Sequence, residues 1–384
     1  MIPYGRQDIS DEDIESVVAV LRSDWLTQGP AVPAFERDLA ALTGASYAIA
    51  VNNATSALHI ACRALGLGQG DWLWTSPITF VASANCGRYC GASVDFVDID
   101  PRTYNMSVPA LAEKLELARR EGHLPRVVVP VHFAGQACEM EAIWSLANEF
   151  GFRIVEDASH AVGARYREGT VGNCRFSDAT VFSFHPVKIV TTGEGGAVVT
   201  HDRKLASRME RLRSHGITRD PEGMVGPSDG PWYYQQVELG FNYRMTDIQA
   251  ALGQSQLRRL DSFLDRRRQL VARYETLLAD LPLVRPWQHP ATASAWHLYV
   301  VQVDEAHTTR SRLEVFNALR AAGIGVNVHY IPVHSQPYYR QAGVSRSLPV
   351  AERYYARAIS LPMYASLSDE DQDQVVAALR EALR

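Results

Sequence analysis

Apolar, β-branched runs alternate with helical patterns over residues 47–157, and this rhythm constrains the fold more than any other feature. The runs are YAIAVNN, DWLWTSP, SVDFVDID, RVVVPVHFAG and FRIVEDAS, and helical patterns with regularly spaced apolar residues separate them. Strands that alternate with helices form βαβ units, whose strands lie parallel in a sheet covered on both faces. The pattern therefore predicts an α/β fold with a large, mostly parallel sheet flanked by helices.

The rhythm breaks after residue 178, where two apolar runs follow one another without an intervening helix. ATVFSFHPVKI and GGAVVTHD are separated by only a few residues. A connection this short cannot make a parallel crossover, so the two strands should pair antiparallel within the sheet. Lys188 then lies in the turn that joins them.

The second half of the chain predicts a different arrangement. Residues 245–281 carry a continuous helical pattern, which predicts one long helix bridging two domains. We expect an N-terminal arm over 1–14, a large domain over 15–255 and a smaller C-terminal α/β domain over 256–384. The Gly- and Pro-rich loop 218–235 has a length that is typical of functional or mobile segments.

Composition excludes several classes of protein. The net charge is −5, and no basic run offsets it, which argues against nucleic-acid binding. No apolar run approaches the roughly 20 residues of a membrane span, and the acidic N-terminus does not resemble a signal peptide. The five scattered cysteines form no C-x-x-C pair, and His329 and His334 have no carboxylate at ligand spacing. We expect a cytoplasmic protein without a metal site.

Lys188 and Asp157 are the first candidates for chemistry. A nucleophilic lysine must sit at a strand end and be partly desolvated, and Lys188 meets the first condition. Taken alone, the pattern favours a lysine that merely snorkels from a hairpin turn. Asp157 follows the run FRIVE at the edge of the sheet where ligands bind. A buried carboxylate there needs a cationic partner such as the protonated ring nitrogen of pyridoxal phosphate, although an N-cap aspartate is the common alternative.

A phosphate seat is predicted where the first of these strands runs into a helix. Asn53, Thr55 and Ser56 stand at that helix start, whose first amides lack intrahelical acceptors and so suit a dianion. Ser183, five residues before Lys188, supplies another hydroxyl. Ser and Thr cap most helices, so this signal is weak by itself.

The order of these elements is more specific than any one of them. Almost end to end, the chain resembles the pyridoxal-phosphate-dependent nucleotide-sugar aminotransferases of the aspartate-aminotransferase (fold type I) superfamily. The matching stretches are LTQGPAVPAFE, NNATSALHIA, SPITFVASAN, EDASHAVGA, FSFHPVKIVTTGEGGAVVT, RSHG, LGFNYRMTDIQAALGQSQL and VHYIPVH.

The resemblance implies roles for individual residues. Lys188 would be the Schiff-base lysine, Asp157 the partner of the pyridine nitrogen, and His160 a neighbour of the ring near its phenolic oxygen. Phe80 would face the ring, although it fits the core equally well. The phosphate would be held by Ala54, Thr55, Ser56, Ser183 and the partner subunit's Asn242, so the active site would lie in a homodimer interface.

The resemblance also implies the reaction. L-glutamate would give its amino group to the cofactor, leaving pyridoxamine phosphate, which would aminate C4 of a UDP-linked 4-keto-6-deoxy-N-acetylhexosamine of the pseudaminic acid pathway. The sugar nucleotide would meet Tyr4, Asp24, Trp25, Leu26, Thr27, His329 and Tyr330. A dTDP- or GDP-linked ketosugar, amination at C3, and a non-catalytic nucleotide-sugar binder stay open. A sugar dehydratase is disfavoured, because relatives of that kind carry histidine at the position of Lys188.

Overall fold

The computed structural model describes residues 1–343 and 347–384. Its helices are α1 (Asp11–Leu21), α2 (Ala31–Thr43), α3 (Ala54–Ala64), α4 (Ala82–Tyr89), α5 (Val108–Glu121), α6 (Met140–Phe150), α7 (Arg203–Arg213), α8 (Asp247–Arg258), α9 (Leu260–Leu277), α10 (Arg312–Ala321), α11 (Pro337–Gln341), α12 (Pro349–Arg357) and α13 (Asp369–Ala382). Its strands are β1 (Tyr47–Val51), β2 (Trp72–Thr75), β3 (Ser93–Phe96), β4 (Val127–Val129), β5 (Arg153–Asp157), β6 (Arg165–Tyr166), β7 (Gly169–Thr170), β8 (Ala179–Ser183), β9 (Gly196–Thr200), β10 (Ile217–Thr218), β11 (Gln235–Gln236), β12 (Leu283–Val284), β13 (Thr292–Ala293), β14 (Tyr299–Val303) and β15 (Ala358–Leu361).

Seven strands of the described residues form the main sheet, in the order β1-β9-β8-β5-β4-β2-β3. Strands β8, β5, β4, β2 and β3 run parallel, and β9 runs antiparallel to both β8 and β1. The predicted mostly parallel α/β sheet is therefore confirmed, as is the antiparallel pairing of β8 with β9.

Helices cover both faces of this sheet because its strands are apolar on both sides. In β4, Val127 and Val129 belong to the cluster that contains residues of α3 and α4. Val128, between them, packs into the opposite cluster with residues of α5 and α6. Successive side chains of a strand point to opposite faces, so a continuous apolar run needs a helical layer on each side.

The helical stretch predicted over 245–281 is divided into α8 and α9 instead of forming one continuous helix. Arg259 lies at the junction, and its guanidinium forms ion pairs with Asp8 and Asp13 near the start of α1. As a result α8 packs against α1 and α2, whereas α9 contributes to the C-terminal core.

The C-terminal part builds a smaller antiparallel sheet, in the order β12-β14-β15. Apolar residues of α9, α10 and α13 join those of β14 and β15 in one cluster. The domain limits 15–255 and 256–384 stay a prediction. Among the helices of the two described ranges, none is both long and apolar enough to cross a bilayer.

The loop predicted over 218–235 is the body of a hairpin arm. Strands β10 and β11 pair antiparallel at its base. At its far end Val225 and Trp232 are exposed. Large apolar side chains on such an arm are suited to contact with another surface.

The carboxyl ends of the parallel strands bring the candidate residues to one edge of the main sheet. Strand β5 ends at Asp157 and pairs with β8, which ends at Ser183. Gly196, the first residue of β9, lies opposite both Ser183 and Val51. Since α3 follows directly on Val51 through two residues, its N-terminus opens at the same edge. Ligands of open α/β sheets bind at this edge.

Candidate active site

Lys188 lies in the turn between β8 and β9, at the edge where the strands end. Hydrogen bonds from Thr192 N to Phe184 O (2.9 Å) and from Phe184 N to Gly195 O (2.9 Å) hold that turn in place. Burial removes water from the Lys188 ammonium and lowers its pKa to about 8, while the negative charge of Asp157 partly opposes this. The amine is therefore readily neutral, which a nucleophile or a base requires.

Asp157 is a buried carboxylate that is only 5% exposed. Its Oδ2 accepts a hydrogen bond from Ser83 Oγ (2.6 Å), and its Oδ1 accepts one from Ser159 N–H (3.1 Å). Within the described part of the chain it forms no ion pair. Burying a carboxylate costs several kcal/mol unless a cation compensates it, so this position is prepared for a positively charged group.

The neighbouring Glu156 shows the contrasting case on the opposite face of β5. Its carboxylate bonds to His132 Nε2 (2.7 Å), Ser177 Oγ (2.5 Å) and Thr180 Oγ1 (2.8 Å). All its hydrogen-bonding needs are met within the protein. Glu156 is therefore satisfied within the fold, whereas Asp157 has no cationic partner among the described residues.

His160 is held neutral beside these groups. Its Nδ1 accepts a hydrogen bond from Ala134 N–H (3.3 Å), so the proton of the neutral ring belongs on Nε2. Nε2 then donates to the hydroxyl of Tyr330 (3.0 Å). Burial lowers the pKa of His160 well below its usual value, and the charges of Lys188 and His329 lower it further.

The start of α3 offers a seat for an anion. Asn53 Oδ1 caps the amide of Ser56 (2.8 Å), and the amides of Ala54 and Thr55, ahead of it, have no intrahelical acceptor. The backbone of Gly196 crosses so closely that a Cβ there would lie 2.5 Å from Ala54 N. This close approach requires glycine. Because Ser183 pairs with Gly196, Ser183 also lies near the N-terminus of α3.

Aromatic side chains lie around His160 and His329. The ring of Tyr330 lies 6.0 Å from that of His160 and 6.5 Å from that of Phe80, which is 61% exposed. The ring of Tyr4 lies 5.4 Å from that of His329, whose Nδ1 is bonded to Ser360 Oγ (2.7 Å). An exposed phenylalanine at such a place is free to pack against a flat ligand.

Two of the predicted groups lie elsewhere on the described chain. The segment Asp24–Thr27 is exposed, and it is joined to the start of α8 by pairing of Thr27 with Thr246. Asn242 is exposed beside Ser214. Within the described residues, no hydrogen bond joins either group to Lys188 or Asp157.

The sequence analysis missed residues that hold the site without any motif of their own. Ser83 stands inside the stretch SPITFVASAN but reads as an ordinary small helical residue. Ala134 supports His160 only through its backbone amide, at φ 56°. The ring of His297 packs against that of His160 at an interplanar angle of 49°, with ring centroids 4.4 Å apart, although the two residues are distant in the sequence. None of these contacts has a local sequence signal.

Comparison with known proteins decides the family. Residues 7–380 match the DegT/DnrJ/EryC1/StrS aminotransferase family. The chain belongs to this family. As a DegT/DnrJ/EryC1/StrS protein it is a pyridoxal-phosphate-dependent sugar aminotransferase.

Relatives and solved structures match over nearly their whole length. The spore coat polysaccharide biosynthesis protein SpsC of Bacillus subtilis is 42% identical, over 100% of this chain and 97% of SpsC. The Helicobacter pylori structure of PseC, an aminotransferase involved in the biosynthesis of pseudoaminic acid, is 31% identical with a TM-score of 0.91, over 100% of this chain and 99% of PseC. The sugar aminotransferase Spr1654 of Streptococcus pneumoniae in its PMP form is 30% identical with a TM-score of 0.89, over 100% and 99%.

The residues of this chain fit the cofactor of the family. The unpaired Asp157 carboxylate suits a protonated ring nitrogen, and the readily neutral amine of Lys188 suits reaction with an aldehyde. The free amides of Ala54 and Thr55 suit a phosphate. All three requirements are met at one edge of the sheet.

Replacing Asp157 with Asn should lower turnover by about 100-fold or more, since the charge opposite the ring nitrogen is lost. The apoprotein should melt no lower than the wild type, because an uncompensated buried charge disappears. Steady-state kinetics and thermal unfolding, with and without pyridoxal phosphate, measure both effects.

Glu156→Gln is the matched control on the other face of β5. It removes charge-assisted bonds to His132, Ser177 and Thr180 and should cost about 2 kcal/mol of stability while leaving turnover of the folded enzyme unchanged. Wild-type turnover in Asp157→Asn would contradict the assignment of Asp157.

Proposed function

We propose that the protein transfers the amino group of L-glutamate to C4 of a UDP-linked 4-keto-6-deoxy-N-acetylhexosamine, as in pseudaminic acid biosynthesis. The observation that carries this proposal is the similarity to PseC over the whole chain, together with the stretches DWLTQG, SPITFVASAN and VHYIPV. The activity would be that of a UDP-4-amino-4,6-dideoxy-N-acetyl-β-L-altrosamine transaminase.

Lys188 would carry the protons of both half-reactions. Pyridoxal phosphate, when bound, supplies an electron-poor ring that takes up the electron pair left when a proton leaves carbon. With a pKa of about 8, the amine of Lys188 accepts a proton from the α-carbon of glutamate and later returns one to the sugar carbon. A flexible amine that can lose its proton serves both directions, which a permanently charged guanidinium cannot do.

Asp157 and His160 would set the electronic state of the cofactor. The carboxylate of Asp157 keeps the ring nitrogen protonated, because separating the two charges would leave Asp157 buried alone. His160, held neutral by burial, keeps its Nε2 proton directed at the Tyr330 hydroxyl, near the expected place of the phenolic oxygen.

The sugar nucleotide would be bound by Tyr4, the segment Asp24–Thr27, His329 and Tyr330. Support for this grouping is that the rings of Tyr4 and Tyr330 both lie against that of His329, whose pKa is lowered by burial and by the nearby charge of Lys188. Since Nδ1 of His329 is bonded to Ser360, its contact with a sugar would be made through Nε2. Asp24–Thr27, exposed at α8, would act across a subunit boundary.

A second candidate keeps the reaction and changes the sugar. The identity to SpsC, 42%, exceeds that to PseC, 31%, and SpsC is a spore coat polysaccharide biosynthesis protein. A dTDP- or GDP-linked ketosugar destined for a surface polysaccharide is the corresponding substrate class, with amination at C4 or C3.

A panel of UDP-, dTDP- and GDP-linked ketosugars, each supplied with L-glutamate, tests the proposal. We expect the UDP-linked 4-keto-6-deoxy-N-acetylhexosamine to give a kcat/KM at least about tenfold above the others, since nucleotide and N-acetyl contacts are each worth a hydrogen bond or more. Release of 2-oxoglutarate and mass spectrometry of the aminosugar measure the reaction. A higher kcat/KM for a dTDP- or GDP-linked sugar would support the second candidate instead.

We also propose that the active enzyme is a homodimer in which Asn242 completes the phosphate site of its partner. Asn242 is exposed, and the backbone around it is fixed by bonds from Tyr243 N to Arg213 O (3.0 Å) and from Asn52 N to Tyr243 O (2.8 Å). An asparagine presented rigidly at the surface next to the phosphate end of the sheet is suited to such a role.

Mixed dimers test the shared site. Lys188→Ala and Asn242→Asp subunits, each defective alone, are co-expressed with two affinity tags and purified through both. If Asn242 acts in the partner's site, one site of each mixed dimer is intact and roughly half of the wild-type activity should return. A Lys188→Ala/Asp157→Asn pair is the control and should stay inactive, since those residues act within one subunit. Equal inactivity of both pairs would refute the shared site.

A further inference from the structure

Arg267, on α9, is a buried arginine without a counter-charge. It is 2% exposed, and no carboxylate of the described residues lies within ion-pair distance of it. Its Nη1 instead donates to three backbone carbonyls, those of Trp296 (2.9 Å), His297 (3.2 Å) and Met363 (3.2 Å). Its Nε has no hydrogen-bond partner. Burying a guanidinium in this way is costly, so its position calls for a compensating gain.

Two of the three carbonyls that Arg267 holds, those of Trp296 and His297, belong to a segment that lies against the candidate active site. Leu298 N donates to Ala134 O (3.3 Å), and Ala295 N donates to Gly135 O (3.1 Å). A Cβ on Gly135, at φ 103°, would lie 2.8 Å from Trp296 N and 3.0 Å from His160 O. The segment around Trp296 is therefore pressed onto the turn whose Ala134 amide holds His160.

His297, in the same segment, packs directly on His160. The two ring centroids are 4.4 Å apart. His297 is 4% exposed, and its Nδ1 has no hydrogen-bond partner. A buried imidazole with an unmet nitrogen contributes little to stability, which indicates that its place beside His160 serves another purpose.

The third carbonyl extends the same link to the N-terminal arm. Met363 N donates to Tyr4 O (3.0 Å), while Met363 O accepts from Arg267. The ring of Tyr4 lies beside that of His329. One guanidinium thus joins the backbone behind His160 to the backbone behind Tyr4.

We propose that Arg267 is a positioning residue for His160: it fixes the Trp296–His297 backbone, and His297 in turn holds the His160 ring dry and directed at Tyr330. The proposal rests on the role proposed for His160 in turnover. It adds Arg267 and His297 as residues that act through His160 without touching the substrate.

Most of the groups that surround the two rings favour uncharged imidazoles. Burial lowers the pKa of His297 well below its usual value, and repulsion from Lys188, from Arg267 and from His160 or His329 whenever either is protonated lowers it further. Tyr330, whose pKa burial raises, faces His160 as a neutral hydroxyl. Asp157 is the nearby carboxylate, and its charge acts on Lys188 and Tyr330. We call the contacts of Arg267 with the Trp296–His297 backbone, together with the packing of His297 on His160, the clamp. Loosening it would hydrate the two rings and allow them to protonate.

Titration of His160 by NMR of the histidine-labelled apoprotein tests the clamp without reference to substrate. In the wild type, we expect His160 to stay neutral well below the ordinary histidine pKa of 6.5, because burial holds its pKa well below that value. Arg267→Met removes the guanidinium and leaves the three carbonyls unpaired. The pKa of His160 should then rise toward 6.5, so the ring becomes charged at a higher pH than in the wild type. The same acid limb should appear in kcat/KM, and the His160→Gln spectrum assigns the signal.

Three further variants separate positioning from stability. Arg266→Met, next along α9, removes bonds to Leu367 O and Asp369 and should destabilise the fold without changing the titration of His160. Arg267→Lys, whose ammonium offers three donors to the three carbonyls, should restore the wild-type titration. His297→Ala leaves Arg267 in place and should expose His160 to water as Arg267→Met does. If Arg267→Met fails to fold, His297→Ala tests the proposal in its place.

A titration of His160 that is unchanged from the wild type in folded Arg267→Met or in His297→Ala would overturn the proposal. Because the titration needs neither cofactor nor substrate, its outcome is independent of the ketosugar panel. A kcat/KM profile that gains no acid limb while His160 titrates would leave the clamp standing and remove the proposed role of His160 in turnover.

Discussion

The rest of the site depends on the electrostatic relation between Asp157 and Lys188. One is a carboxylate at the end of β5, buried and without a cation of its own. The other is an amine in the β8–β9 turn, whose pKa burial lowers to about 8. The charge of Asp157 only partly opposes the effect of burial on the pKa of Lys188. Under the proposed roles, the cofactor of the family would offer a protonated ring nitrogen to the carboxylate and an aldehyde to the amine.

The architecture of the sheet brings these groups together at low structural cost. Parallel strands end at a common edge, so residues distant in sequence, such as Asp157 and Ser183, become neighbours through register alone. The antiparallel return of β9 then places Gly196 against the start of α3, where the absence of a side chain lets the backbones meet. The strand order therefore positions Asp157, Ser183 and the turn that carries Lys188, and the N-terminus of α3 adds a positive electrostatic potential at the same edge.

The sheet, the β8–β9 hairpin and the strand-end residues could be predicted because each has a local signal: a period, a short connection or a polar residue after an apolar run. The break at Arg259 could not, because the helical pattern runs through it unbroken and the residues that Arg259 pairs with, Asp8 and Asp13, are distant in the sequence. Ser83, Ala134 and His297 were missed for a related reason. Each acts through a contact between distant segments, and Ala134 acts through its backbone, which has no sequence signature at all.

Mapping of the covalent adduct formed with pyridoxal phosphate, as a function of pH, tests the central claim most directly. Lys114, Lys188 and Lys204 are the three lysines of the chain, so borohydride reduction and peptide mapping give an unambiguous position. The account predicts an adduct at Lys188 whose rate of formation rises with pH and levels off above about 8, where the amine is neutral. No trapped adduct at Lys188, or a rate midpoint near the roughly 10.4 of an ordinary lysine, would contradict it.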